Sequence, residues 1–95
     1  MPKKTLVVTR RLPQAVESRI SRDYAARFNA EDRLYSSNEL VDISAGADAL
    51  LITQQDVMDA QFLSHLPSSV RVIATLSVGF DHIDLAAAAA RGIEV

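Results

Sequence analysis

Short apolar runs alternate with amphipathic segments along the whole chain. Leu6-Val7-Val8-Thr9 is brief and rich in β-branched residues, as expected of a buried strand. In the helical stretch that follows, Pro13 suits the first turn, and Val16, Ile20 and Tyr24 recur on one face. That stripe can run on to Phe28 as one long helix. Strand–helix alternation instead favours a strand around Ala25 to Asn29, and the strand is adopted here. Ser36-Ser37-Asn38-Glu39 has the form of a capping box, with Ser36 accepting from the Glu39 amide and Glu39 reaching back. Leu40, Val41 and Ile43 then form the buried side of a helix that Gly46 stops. Ala49 to Thr53 is the third strand. Asp59 can cap a short helix through Phe62 and Leu63, which must end before Pro67. Val70 to Leu76 is the fourth strand. Asp84 caps an alanine-rich helix, Arg91 complements its C-terminal dipole and Gly92 ends it, after which Ile93 to Val95 begins a fifth strand. This pattern predicts an α/β fold: a doubly wound, flavodoxin-like parallel sheet of five strands ordered 2-1-3-4-5.

Composition narrows the setting. Ninety-five residues make one domain, and a 48% hydrophobic content is enough for a core. A net charge of -2 supplies no basic field for phosphate backbones, so no nucleic-acid partner is expected. Cysteine is absent, which excludes disulfides and thiolate metal sites and fits a reducing compartment. The apolar run behind Lys3-Lys4 is too short for a signal peptide or membrane span, so the expectation is a cytoplasmic domain with no membrane partner.

In a sheet of this kind ligands bind outside the carboxyl ends of the strands. The candidates there are Arg10 and Arg11, Thr53 to Asp56, and Ser77 to Asp81. A receiver domain needs acidic residues after its first strand and an aspartate ending its third; this chain has Arg10-Arg11 and Ile52-Thr53. The segment TRRLPQ is not the Ser/Thr/Gly-rich phosphate loop of a flavodoxin. With only Gly46, Gly79 and Gly92, a GxGxxG dinucleotide loop is impossible, and no cofactor is expected on this chain alone. The turn Ser77-Val78-Gly79-Phe80 is different, because consecutive N–H groups between a strand and a helix N-terminus can converge on an anion such as a carboxylate. The plainer alternative is that Gly79 simply makes the turn. Arg10 either adds positive potential at the crevice mouth or is a solvated loop residue. His82 fits packing or hydrogen bonding better than acid–base work. His65 is helix-terminal and solvated, and the two histidines lack metal-ligand spacing, so no metal is expected. Met58 and Phe62 are core candidates.

Two stretches carry a resemblance. VVTRRLP, near the start, is similar to the VTR-x-(I/L)-P opening of glyoxylate/hydroxypyruvate reductases. VIATLSVGFDHIDLAAAAARGIEV matches the SVG-x-DH turn and RGI-x-V ending of the same branch. The chain thus resembles the N-terminal part of the substrate-binding domain of D-isomer-specific 2-hydroxyacid dehydrogenases. The resemblance implies an NAD- or NADP-dependent oxidoreductase acting on the CH–OH group of small 2-hydroxy acids, or reducing the matching 2-oxo acids. It implies that Val78 and Gly79 present backbone amides to the substrate carboxylate, with Ser77, Thr53 and Gln54 as neighbours by position. The family's catalytic Arg, Glu and His and its nucleotide loop would follow residue 95. No catalytic residue is therefore assigned to residues 1–95, the Rossmann coenzyme domain is expected to be absent, and the chain alone is expected to be inactive. The family's C-terminal helix would also be missing, which predicts self-association through an uncovered sheet face. The rival expectation is a non-catalytic, stand-alone flavodoxin-like module that binds a small molecule or a protein.

Overall fold

In the computed structural model, which describes residues 3–76, 79 and 82–95, four strands form one parallel sheet. The strands β1 (Thr5–Val8), β2 (Ala25–Arg27), β3 (Ala49–Thr53) and β4 (Val72–Leu76) lie in the order β2-β1-β3-β4. Helices α1 (Gln14–Asp23), α2 (Ser37–Ile43) and α3 (Ala60–His65) make the crossovers, and α4 (Leu85–Ala90) follows β4. Every neighbouring pair is parallel, so all carboxyl ends and the loops that leave them share one edge. The choice between a long first helix and a strand is decided at Tyr24. Its N–H donates to Ile20 O at 2.8 Å while its own backbone is already extended, and the Ala25 N–H then pairs with Lys4 O at 2.9 Å.

The fifth strand is not formed as a strand. Ile93 to Val95 contributes a single parallel bridge between Glu94 and Val72. In it the Ile73 N–H donates to Glu94 O at 2.8 Å and the Glu94 N–H to Arg71 O at 2.9 Å. One paired residue does not make a ladder, so the sheet is described by four strands.

Side chains alternate across the sheet, and the two faces differ. Val7, Leu50, Ile52 and Ile73 pack with Leu40 of α2, Phe62 and Leu63 of α3 and Ala88 of α4 in the main core. Each fully buried side chain of this size contributes about 1.5–3 kcal/mol. The opposite face, with Leu6, Ala49, Leu51, Val72 and Ala74, borders an apolar groove of about 280 Å³ that Ile20 of α1 and Tyr24 just beyond it also line. The Val16-Ile20-Tyr24 stripe therefore does not bury as expected: α1 has no buried residue, and Val16 and Tyr24 stay exposed. A single helix is too narrow to cover that face, and Val72 and Leu76 remain 41% and 54% exposed.

The expected caps are present. Ser36 and Glu39 complete a capping box, and Arg33 grips the Glu39 carboxylate at 2.7 and 2.9 Å. Asp59 accepts from the Phe62 N–H at 2.8 Å and Asp84 from the Ala87 N–H at 3.0 Å. Gly46 and Gly92 both adopt positive φ, at 73° and 72°. Arg91 differs from expectation. Its guanidinium donates to Leu63 O and Leu66 O at 2.7 and 2.9 Å, satisfying the end of α3 instead of complementing α4. The close packing of α3 against α4 brings those orphan carbonyls within its reach.

Candidate functional site

The carboxyl edge of the sheet rests on buried polar residues. Thr9, which follows β1, is fully buried, and its N–H extends the ladder to Leu51 O at 3.1 Å. Its hydroxyl donates to Asp56 Oδ2 at 2.5 Å. That same oxygen accepts from the Thr53 N–H at 2.9 Å and the Thr53 hydroxyl at 3.3 Å. Asn29, beyond β2, donates from Nδ2 to Thr9 O at 3.0 Å and to Arg33 O at 2.6 Å. The ends of β2, β1 and β3 are thus linked below the surface.

Above this layer lies an open crevice of about 710 Å³. Arg10, Arg11 and Leu12 line it from β1, Thr53, Gln54 and Gln55 from β3, and Thr75 and Leu76 from β4. Arg10 is not a freely solvated loop residue. Its Nε and Nη2 meet the Asp32 carboxylate at 2.9 and 3.3 Å, and Nη1 donates to the Gln55 side-chain oxygen. The Asp32 carboxyl is held down at about 2, first by the hydrogen bond from Arg10 and then by the Arg11 N–H at 2.8 Å. Asp32 adopts φ 54°, a left-handed conformation that a short polar side chain tolerates. Arg10 is therefore charge-compensated, while the Arg11 guanidinium makes no hydrogen bond to another described side chain.

The other sequence-predicted residues fall on or near the same edge. Thr53 and Gln54 line the crevice, with the Thr53 amide and hydroxyl both turned to Asp56. Ser77 and Val78 lie outside the described residues. Gly79 is exposed, and a Cβ built on it meets no described atom within 4 Å. The chain on either side of the turn is anchored. His82 Nε2 lies 2.9 Å from Thr75 Oγ1. The Met58 N–H donates to His82 O at 2.7 Å, and the Asp84 N–H donates to Met58 O at 2.8 Å. His82 thus has a hydrogen-bonding role at the base of the turn. His65 is exposed and donates from Nδ1 to Gln61 O, and Met58 and Phe62 are buried in the core. Gln55 and Asp56 fall within the Thr53–Asp56 stretch named among the candidates, although only Thr53 and Gln54 of that stretch are expected beside the ligand. The signal for Asp56 in the sequence is a carboxylate in the loop that leaves the third strand. Among the described residues no group of three acidic or histidine side chains could hold a metal ion, and no helix is long and apolar enough to cross a membrane. The three glycines, Gly46, Gly79 and Gly92, stand too far apart in sequence to form a GxGxxG dinucleotide loop.

Comparison with known proteins bears on this edge. The profile of the family "D-isomer specific 2-hydroxyacid dehydrogenase, catalytic domain" matches residues 6–95. The chain is 36% identical over its full length to a glycerate dehydrogenase of Hyphomicrobium methylovorum, covering 30% of that protein. It is 37% identical over 93% of its length to the human glyoxylate reductase/hydroxypyruvate reductase, covering 27% of it. In structure it superposes on a D-isomer specific 2-hydroxyacid dehydrogenase of Polaromonas sp. JS6 66 with a TM-score of 0.90 and 33% identity, over 97% of this chain and 29% of that one. The chain thus spans about 30% of the length of such relatives. These matches do not favour a stand-alone binding module.

Proposed function

Because the chain belongs to the D-isomer-specific 2-hydroxyacid dehydrogenase family, we propose that residues 1–95 form the N-terminal portion of a substrate-binding domain. In this reading they supply one wall of the cleft in which a small 2-oxo acid, such as glyoxylate or hydroxypyruvate, is reduced. The observation that carries the proposal is the crevice at the carboxyl ends of β1, β3 and β4, in a chain whose family match covers that whole edge. Arg11, whose guanidinium makes no hydrogen bond to another described side chain, favours an anionic ligand, and in sequence Gly79 follows shortly after β4. The Val78 and Gly79 amides hold the substrate carboxylate, with Ser77, Thr53 and Gln54 around it. NAD or NADP supplies the hydride in the complete enzyme and is bound outside these residues, which do not fit it. A cytoplasmic setting goes with this reading, since a cysteine-free chain suits a reducing compartment.

The test joins residues 1–95 to the remaining two-thirds or so of the Hyphomicrobium relative and follows NADH oxidation with glyoxylate. Substituting Gly79→Val should lower kcat/KM for glyoxylate by roughly 10²-fold, the scale of losing a charge-assisted hydrogen bond and its geometry. The KM for NADH should hardly change. A Cβ at Gly79 meets no described atom within 4 Å, so among the described residues nothing opposes the first carbon of the added side chain. His82→Asn should cost far less. Near-normal kcat/KM in Gly79→Val together with abolished activity in His82→Asn would overturn the carboxylate assignment.

A further inference from the structure

Three buried polar residues, Thr9, Asn29 and Asp56, gather beneath the crevice. Asp56 is the carboxyl group among them, and it is only 5% exposed. Burying a carboxylate is costly unless donors surround it, and the Thr9 hydroxyl, the Thr53 amide and the Thr53 hydroxyl do so here. An apolar side chain in its place would leave the Thr53 amide and the Thr9 hydroxyl without this acceptor, so the carboxylate and its donors act as one unit.

Its geometric effect is specific. The Asp56 N–H donates to Thr53 O at 3.0 Å while the Asp56 carboxylate takes the Thr53 N–H, closing the turn from both directions. Gln54 and Gln55 are thereby held at its crest, facing the crevice. Gln55 is fixed further by Thr53 Oγ1, which accepts its N–H at 3.4 Å, and by Arg10. Two residues beyond Asp56, Met58 is strapped to His82 and Asp84 on the far side of the Gly79 turn. A carboxylate anchored to β1 through Thr9 thus fixes the segment that joins the two walls of the crevice.

We infer that Asp56, acting with Thr9, is a positioning residue that sets the Thr53–Gln55 wall at a fixed spacing from Thr75 and Leu76 at the end of β4 and so determines how tightly the 2-oxo acid is held. The inference rests on the proposed function. In the same hybrid enzyme, Asp56→Asn and Thr9→Val should each raise KM for glyoxylate by roughly tenfold, as expected for losing a hydrogen bond to a charged group. KM for NADH should stay unchanged and kcat should move far less. Thr9→Ser, which keeps the hydroxyl, should restore the wild-type KM. Amide hydrogen exchange should quicken at Thr53 and Gln55 in Asp56→Asn while Ile52, in the core of β3, stays protected.

A lowered melting temperature with unchanged glyoxylate KM in both Asp56→Asn and Thr9→Val would make Asp56 merely structural and overturn the inference, leaving the proposed function standing. Unchanged exchange at Thr53 and Gln55 would overturn it even if Asp56→Asn weakened activity. A wild-type hybrid that oxidises NADH but shows no dependence on glyoxylate would remove the proposed function itself, and the positioning role with it.

Discussion

Arg10 and Asp32 show how a single ion pair shapes this edge of the molecule. The pair joins the loops that follow β1 and β2, and Gln55 extends it to the loop after β3. Asp32 lies at about 2 in the fold against an ordinary 3.8. A carboxylate lowered in this way contributes stability above its ordinary value, and that contribution is lost as pH falls through about 2. Both side chains are partly exposed, at 26% and 41%, so solvent screens the pair, the expected effect on global stability is small and the contact is best read at the site itself. Arg10→Ala should raise the Asp32 midpoint toward 3.8 without fully reaching it, because the Arg11 N–H remains. Carboxyl carbon shifts followed through an acid titration would measure this. An Asp32 midpoint unmoved by Arg10→Ala would mean that the backbone amide alone holds the carboxylate down.

Among the elements, short helices depend on their caps because they have few internal hydrogen bonds. Helix α2 has only seven residues, and its capping box is reinforced where Arg33 grips Glu39. The Glu39 carboxyl is brought to about 2, chiefly by Arg33 and then by the Ser36 N–H. Ser36→Ala should destabilise the fold by about 1 kcal/mol, the usual scale for an N-cap, measured by urea denaturation. A loss near zero would show that the Arg33 contact holds the helix start without the serine. These caps were legible beforehand, since a cap is a local matter of residue type and spacing. The strand after Tyr24 was not settled by periodicity, because a stripe at helical spacing continues to Phe28. A hydrogen bond to Lys4, twenty or so residues away, made the difference.

On the scale of the whole molecule, the sheet is covered unequally. Among the described residues, one face has three helices packed on it, while the other has α1 alone and leaves Val72 and Leu76 open to solvent. We propose that a second copy of the chain covers this face in the isolated protein, since contiguous exposed apolar surface promotes association. Sedimentation should then show concentration-dependent oligomers, and the double substitution Val72→Lys and Leu76→Lys should disperse them while the fold persists. A monomer at all concentrations would count against this proposal. The uneven coverage could be anticipated only from family resemblance, because no single helix reveals how wide a face it must cover.

The sequence by itself determined the alternation of strands and helices, the capping serine and aspartates, and the two glycines that end helices. Each depends on residues within one turn or one strand of each other. It also carried the family, through the VVTRRLP opening and the SVGFDH turn. Only the tertiary structure decided that Arg91 serves α3, that Ile93 to Val95 contributes one bridge, and that Arg10 is bound to Asp32. The buried junction of Thr9, Asn29 and Asp56 belongs with these. Its members stand 20 and 47 residues from Thr9 along the chain, and nothing but the parallel order of the strands brings them together. Local patterns are written in neighbouring residues, whereas a shared edge exists only once the sheet has formed.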